Sequence, residues 1–203
     1  MPQYTLIYFD ARGRAELTRW IFAYGGINYV DDRIKKEDWL ERKNVVFTGK
    51  VPVLMVDDKA LPQSLAIARY AAKLTGLVPE DNYDAAMCDS VSNTLSDVTG
   101  ESYKIWFSGK SEEEKKQEFE DSFYPNIKKS FLERLDKILT GREWFQTDNM
   151  TWADLHISLV FGIMLKKSPE KLEQYPAVLA LTRKVREIPS IKKWIETSPQ
   201  TPF

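Results

Sequence analysis

The chain has 203 residues, 43% of them hydrophobic, and its 29 Lys and Arg nearly cancel its 30 Asp and Glu. That is enough apolar content for one good core or two small ones, and the charge balance excludes the basic excess that draws a protein to nucleic acid or an acidic membrane surface. A single cysteine, Cys88, and a single histidine, His156, rule out a disulfide framework and an ordinary Cys/His zinc site. The opening MPQYTLIYF is too short and polar for a signal peptide, and no apolar run reaches the roughly 18 residues of a membrane span, so a cytoplasmic globular protein is expected.

In chain order, YTLIYF (4 to 9) is a β-branched and aromatic run that predicts a strand. RGRAELTRWIFAY then places Leu17, Trp20, Ile21 and Tyr24 at helical spacing before the stop Gly25-Gly26. NYVDDRI (28 to 34) predicts a second strand, and a polar helical or irregular stretch around Lys36 to Lys43 follows. VPVLMV (51 to 56), a turn at Asp57-Asp58 and a short KAL strand predict a hairpin, and SLAIARYAAKLTG predicts a helix. The order β-α-β-α-β-β-α describes a small α/β sheet with a parallel part.

Beyond Gly76 the strand signals fade. LVPEDNYD (77 to 84) joins the halves, with the boundary near residue 77. Long helical runs follow, in which Phe123, Ile127, Phe131, Leu135 and Ile138 recur through a kink or break at Pro125. TWADLHISLVFGIMLKK reads as a buried central helix, followed by the shorter VLALTRKVREI and IKKWIET. The expected domains are therefore residues 1–76, α/β, and 77–203, all helical.

Proline has no N–H for a sheet ladder, so Pro52 marks an edge, a bulge or a specialised turn. There Val51 could offer its backbone to an extended peptide. Gln63 and Ser64 stand where a helix begins, and the hydroxyl and first free N–H groups suit a carboxylate. From this stretch alone, shaping of an edge strand by Pro52 and ordinary capping by Ser64 account better for these residues. Tyr8 ends the first strand, and Arg14 lies in the first turn of the next helix, an unfavourable place for a cation. Together they could stabilise negative charge beside the phenol.

YFDARGRAELTRW, GKVPVLMVDDKALPQSLAIARY, GREW and MTWADLH, in order and at matching spacing, resemble the sigma class of cytosolic glutathione transferases, and most of all their haematopoietic prostaglandin D synthase branch. The resemblance runs end to end. It implies a thioredoxin-like glutathione-binding domain with a cis proline at Pro52 and an all-α domain forming the electrophile pocket. It also implies Tyr8 as the residue that holds the glutathione thiolate, supported by Arg14. Trp39 and Lys43, with Lys50 close by, correspond to residues at the glycyl carboxylate; Val51 to the backbone partner of the cysteinyl unit; and Gln63 and Ser64 to the γ-glutamyl carboxylate site.

Asp97 corresponds to a carboxylate reaching the γ-glutamyl amino group from the partner subunit of a homodimer, in which Phe47 is a candidate interface key. Asn93 and Ser96 occupy two of the three positions of the branch's metal-binding acidic cluster, so no metal is expected. Lys104 stands where the branch has a pocket tryptophan, with Trp106 two residues on; Phe9, Tyr103 and Phe107 are further pocket candidates. The expected function is attack of glutathione thiolate on small electrophiles. The alternatives are glutathione-dependent isomerisation of prostaglandin H2 to D2 and a non-catalytic, crystallin-like glutathione-binding role. Thr151-x-x-Asp154 reads as a structural helix cap, His156 as a satisfied core residue and Cys88 as a helix residue without a role.

Overall fold

The computed structural model describes residues 2–43 and 48–201, the side chain of Lys36 excepted. It falls into two compact units, one of residues 1–78 with 187–203 and one of residues 79–186. Phe47 lies outside the described residues.

The first unit is built on a four-stranded sheet. β1 (Tyr4–Phe9) runs parallel to β2 (Val30–Ile34) and antiparallel to β3 (Val53–Val56), and β3 forms a hairpin with β4 (Lys59–Pro62), giving the order β2-β1-β3-β4. The expected order of elements is found, with the polar stretch resolved as a 3-10 turn at Lys36–Asp38 and a single helical turn α2 (Trp39–Arg42). Successive residues Leu6 and Ile7 are both buried. Since neighbouring side chains point to opposite faces of a strand, both faces of the sheet are covered. Ile7, Ile34 and Val53 form one apolar cluster, against which Phe9, Trp39, Val51 and Met55 pack.

Helix α1 (Glu16–Gly25) ends in a left-handed Gly26 and buries Leu17, Trp20, Ile21 and Phe22. It packs on α3 (Ser64–Leu74), which buries Ile67, Ala68, Ala71 and Ala72. Tyr24, expected on the buried stripe, is instead more than a third exposed, while Phe22 takes the interior position.

The second unit is helical. α4 (Asn82–Trp106) starts at Asp81, whose carboxylate accepts the N–H groups of Tyr83 and Asp84. The following run from α5 (Glu112–Glu118) through α6 (Tyr124–Ile127) to α7 (Glu133–Leu139) continues past Pro125 without a break, through two π-helical turns at Phe119–Phe123 and Lys128–Leu132. Each π-turn fits an additional residue into the coil, which shifts the phase of everything downstream. The buried positions accordingly become Ile127, Leu132, Leu135 and Leu139, and the expected Ile138 turns out to solvent.

α8 (Trp152–Lys167) is buried over its whole first half, from Trp152 through Ser158. α9 (Pro169–Leu172) and α10 (Pro176–Arg186) follow, and Asp136 of α7 accepts the N–H groups of Ala177 and Val178 at 2.8 and 3.0 Å, satisfying the start of α10. The last helix, α11 (Pro189–Thr197), belongs to the first unit and packs on α1.

Candidate functional site

Tyr8 stands at the end of β1, one residue beyond the last ladder pair with β3, Ile7↔Val53. Continuing that antiparallel register would set Tyr8 opposite Pro52, which has no N–H to extend the ladder. The Val51–Pro52 peptide is cis, as the resemblance implies. The β1–β3 pairing thus ends where Tyr8 begins, while the pairing with β2 continues through Tyr8 and Phe9, and Val51 lies outside the β1–β3 ladder with its side chain against the Ile7 cluster.

The turn after β1 closes over the phenol. Gly13 has φ +40°, and a Cβ there would meet the Tyr8 Oη at 2.6 Å. The next residue, Arg14, donates its backbone N–H to the Tyr8 Oη at 3.2 Å. Arg14 therefore sits in a 3-10 turn (Gly13–Ala15) ahead of α1, not in the first turn of the helix, and it reaches Tyr8 by its main chain. The guanidinium that lies over the Tyr8 ring belongs to Arg19, 6.0 Å from the ring centroid. Because the Oη accepts from Arg14, the phenolic proton is free to be donated elsewhere.

Phe9 bridges two rings, with Tyr8 at 5.7 Å and the edge of Trp39 at 5.3 Å. This contact fixes the polar α2 turn on the sheet. The Lys43 stem runs past Gly49, whose φ is +55°, and Lys50 is exposed beside it. At the end of β4, Gln63 is exposed and has φ +75°, a region where a side chain is strained. Gln63 is at the N-cap position of α3 and Ser64 is its first residue, half-buried, so Ser64 is not the N-cap expected, and Gln63 makes no side-chain capping bond in its place.

In the second unit Asp97 is exposed on α4, as is Asn93, and among the described residues no group of three or more His, Cys, Asp or Glu is arranged to hold a metal ion. Tyr103 and Phe107 stack edge to face at 5.7 Å, with Phe107 largely exposed. Trp106 turns away from that pair to Phe119 of the first π-turn, beneath the ammonium of Lys167. Lys104 is exposed and pairs with Glu101.

Thr151 and Asp154 form the expected cap. The Asp154 carboxylate accepts the backbone N–H and the hydroxyl of Thr151 at 2.8 and 2.9 Å and the N–H of Phe145 at 2.7 Å. Burial lifts the Asp154 pKa above the usual value, an effect these bonds oppose. Cys88 donates its S–H to the Thr151 hydroxyl at 3.5 Å, and burial pushes its pKa up to about 11. The thiol is thus part of the cap's surroundings and a poor nucleophile. His156 is buried, but its Nδ1 has no hydrogen-bond partner among the described residues, so it is not the satisfied core histidine expected.

Gly13, Glu16, Arg19 and Trp194 are not singled out by the sequence reading. A signal existed for two of them. Glu16 and Arg19, opposite charges three apart, fall inside the first turns of the helix whose Leu17, Trp20 and Ile21 mark it as a core element.

The family model of the glutathione S-transferase N-terminal domain matches residues 4–73, and that of the C-terminal domain matches residues 96–198. The chain belongs to the glutathione S-transferase family. Human haematopoietic prostaglandin D synthase is 39% identical over 99% of both chains, and a probable glutathione S-transferase of Caenorhabditis elegans is 37% identical over the full length of both. Among solved structures, a glutathione S-transferase of the hookworm Necator americanus, described as monomeric, superposes with a TM-score of 0.90 at 34% identity, covering 99% of this chain and all of its own. The rat haematopoietic synthase complexed with a quinoline gives 0.89 at 38% identity over all of both. Membership makes the chain an enzyme with glutathione as co-substrate, built from a thioredoxin-like domain with a mixed four-stranded sheet and a helical domain. No helix among the described residues is long and apolar enough to cross a membrane.

Proposed function

We propose that this glutathione transferase attacks small electrophiles with a glutathione thiolate held by Tyr8, and that it is a cytoplasmic, sigma-class homodimer. The observation that carries the reading is the 3.2 Å bond from the Arg14 N–H to the Tyr8 Oη. It orients the phenol as an acceptor from the protein and a donor to the ligand. A free thiol with a pKa of roughly 8.5 is mostly protonated at neutral pH, so a donor aimed at the sulfur raises the nucleophilic fraction.

The peptide of glutathione is assigned to the groove edge left where the β1–β3 ladder stops. Val51 pairs with its cysteinyl backbone beside Pro52. The glycyl carboxylate goes to Trp39, Lys43 and Lys50, and the γ-glutamyl carboxylate to Gln63, Ser64 and the first N–H groups of α3. Arg14 supports Tyr8, Asp97 serves the γ-glutamyl amine of a partner subunit, and no metal takes part. Tyr103 and Phe107 offer an apolar surface to the electrophile, with Phe9, Lys104 and Trp106 as further candidates; Phe9 also packs against Trp39, while Trp106 turns to Phe119. The domain division at residue 76/77 is part of the same reading, with 187–203 grouping with the first unit.

The test is the ultraviolet absorbance of bound glutathione thiolate across pH in wild type and Tyr8→Phe, with conjugation of a chloronitrobenzene by both. Thiolate and turnover at neutral pH, both lost in Tyr8→Phe, are expected. Thiolate undiminished in Tyr8→Phe would remove the assignment. Light scattering decides the dimer, which the monomeric hookworm relative makes a necessary measurement.

The similarity to the human synthase supports a second reading, isomerisation of prostaglandin H2 to D2 at the same thiolate. Product analysis with that endoperoxide separates it from conjugation.

A further inference from the structure

The turn that meets Tyr8 is held from behind by a buried charge network, and its centre is Arg19. The side chain is fully buried. Its Nη1 donates to the carbonyls of Ala11 and Arg12 at 2.8 and 3.2 Å and to the Glu16 carboxylate at 3.2 Å, and its Nε donates to Asp31 at 3.1 Å. Nη2 has no hydrogen-bond partner among the described residues, and the guanidinium carbon stands 6.0 Å from the centroid of the Tyr8 ring.

Glu16 is buried as well, and accepts the indole N–H groups of Trp20 at 3.2 Å and Trp194, on α11, at 2.9 Å. Arg12 adds an ion pair to Glu16 at 3.6 Å, and its own N–H donates to the Thr201 hydroxyl at 3.2 Å. Asp31 is shared with Arg33, which also pairs with Asp10.

A buried guanidinium costs heavily unless its charge and donors are used. Here they are spent on two consecutive carbonyls of the turn, and the next two residues are Gly13, which makes room for the phenol, and Arg14, whose N–H grips it. We propose that Arg19 is a positioning residue for the thiolate site: it fixes the 11–14 turn so that the Arg14 N–H and the open face of Gly13 hold the Tyr8 hydroxyl, and Glu16 with Trp194 holds Arg19. This rests on the assignment of Tyr8 as thiolate donor. Lysine keeps the charge but lacks the planar fork that spans Asp31, Glu16 and both carbonyls.

The experiment measures bound glutathione thiolate against pH, with glutathione affinity and kcat, in the full chain carrying Arg19→Lys, Trp194→Phe, Tyr8→Phe and Arg19→Lys/Tyr8→Phe. In Arg19→Lys the midpoint of thiolate formation moves up by about one pH unit and kcat at neutral pH falls about tenfold. Glutathione affinity stays within about threefold, because the carboxylate-binding residues are untouched. Trp194→Phe shifts the midpoint the same way by less, and carries the test should Arg19→Lys not fold. With the pH range extended, Arg19→Lys adds nothing in the Tyr8→Phe background.

A folded Arg19→Lys or, failing that, a folded Trp194→Phe with an unmoved midpoint overturns the inference, as does an equal shift in the Tyr8→Phe background. If Tyr8→Phe itself keeps its thiolate, the Tyr8 assignment falls first and takes this inference with it. Loss of thiolate in Tyr8→Phe with an unmoved Arg19→Lys sinks this inference alone.

Discussion

Gly13 lacks a side chain where Tyr8 keeps its hydroxyl: a Cβ at residue 13 would stand 2.6 Å from the Oη, at a backbone φ of +40°. The Tyr8 ring and the turn after β1 are fitted to one another by that absence.

Gly13→Ala therefore displaces the phenol or the turn. With Tyr8 as the proposed thiolate donor, and since a displacement of about 1 Å at such a group costs on the order of 100-fold, kcat for conjugation is expected to fall about 10- to 100-fold, with the circular dichroism spectrum retained. Steady-state kinetics beside a thermal melt check it. Full activity would mean that the turn and Tyr8 are not coupled.

Gln63 holds φ +75° and is exposed, so nothing in the core requires its side chain there. Gln63→Gly relieves backbone strain, and stability should stay level or rise by up to about 1 kcal/mol, while the KM for glutathione rises several-fold. Urea melts and kinetics on one preparation give both numbers. An unchanged KM would reduce Gln63 to a turn residue.

Asp154 carries three bonds from Thr151 and Phe145. Asp154→Ala strands those donors in the interior, at a cost of about 2–4 kcal/mol, and slows refolding if the cap forms early. Equilibrium unfolding should show the loss, and the activity of the protein that remains folded should be close to normal.

Burial holds the His156 pKa down at about 3, against 6.5 for the free side chain. Below about pH 6.5 the unfolded chain takes up a proton there that the folded chain does not. Stability from this residue is thus fully present above pH 6.5, is lost progressively as the pH falls, and stops falling near pH 3. At pH 5 the loss is about 2 kcal/mol. His156→Gln is expected to be less stable at pH 7 and to flatten the decline between pH 7 and 5, which paired urea melts at the two values would reveal.

Much of the candidate site could be read from residues that announce themselves by chemistry or by a broken local rule. Tyr8 ends a strand, Pro52 interrupts one, and Gln63-Ser64 opens a helix. What supports them was hidden for physical reasons. Arg19 and Glu16 sit among the apolar positions of α1, and periodicity treats them as surface charges; their spacing of three allows a pair, but nothing local shows that Asp31 completes the charge balance of Arg19 or that the indole N–H of Trp194, far along the chain, reaches Glu16. Gly13 shows its purpose only once a ring is known to lie against it. The shift from Phe131 and Ile138 to Leu132 and Leu139 at the core arises in the π-turn at Lys128–Leu132, and a straight 3.6-residue count cannot register one additional residue in a coil.

The grouping of α11 with the first unit has a bearing on how the chain is made. A ribosome reaches Trp194 only after all of residues 79–186 have been translated, so during synthesis the Glu16 carboxylate waits, partnered by Trp20 and Arg19 but without its last donor. The thioredoxin-like half, first to be translated, is thus among the last to be finished, and a fragment cut at residue 78 would leave the face of α1 that α11 covers open to water.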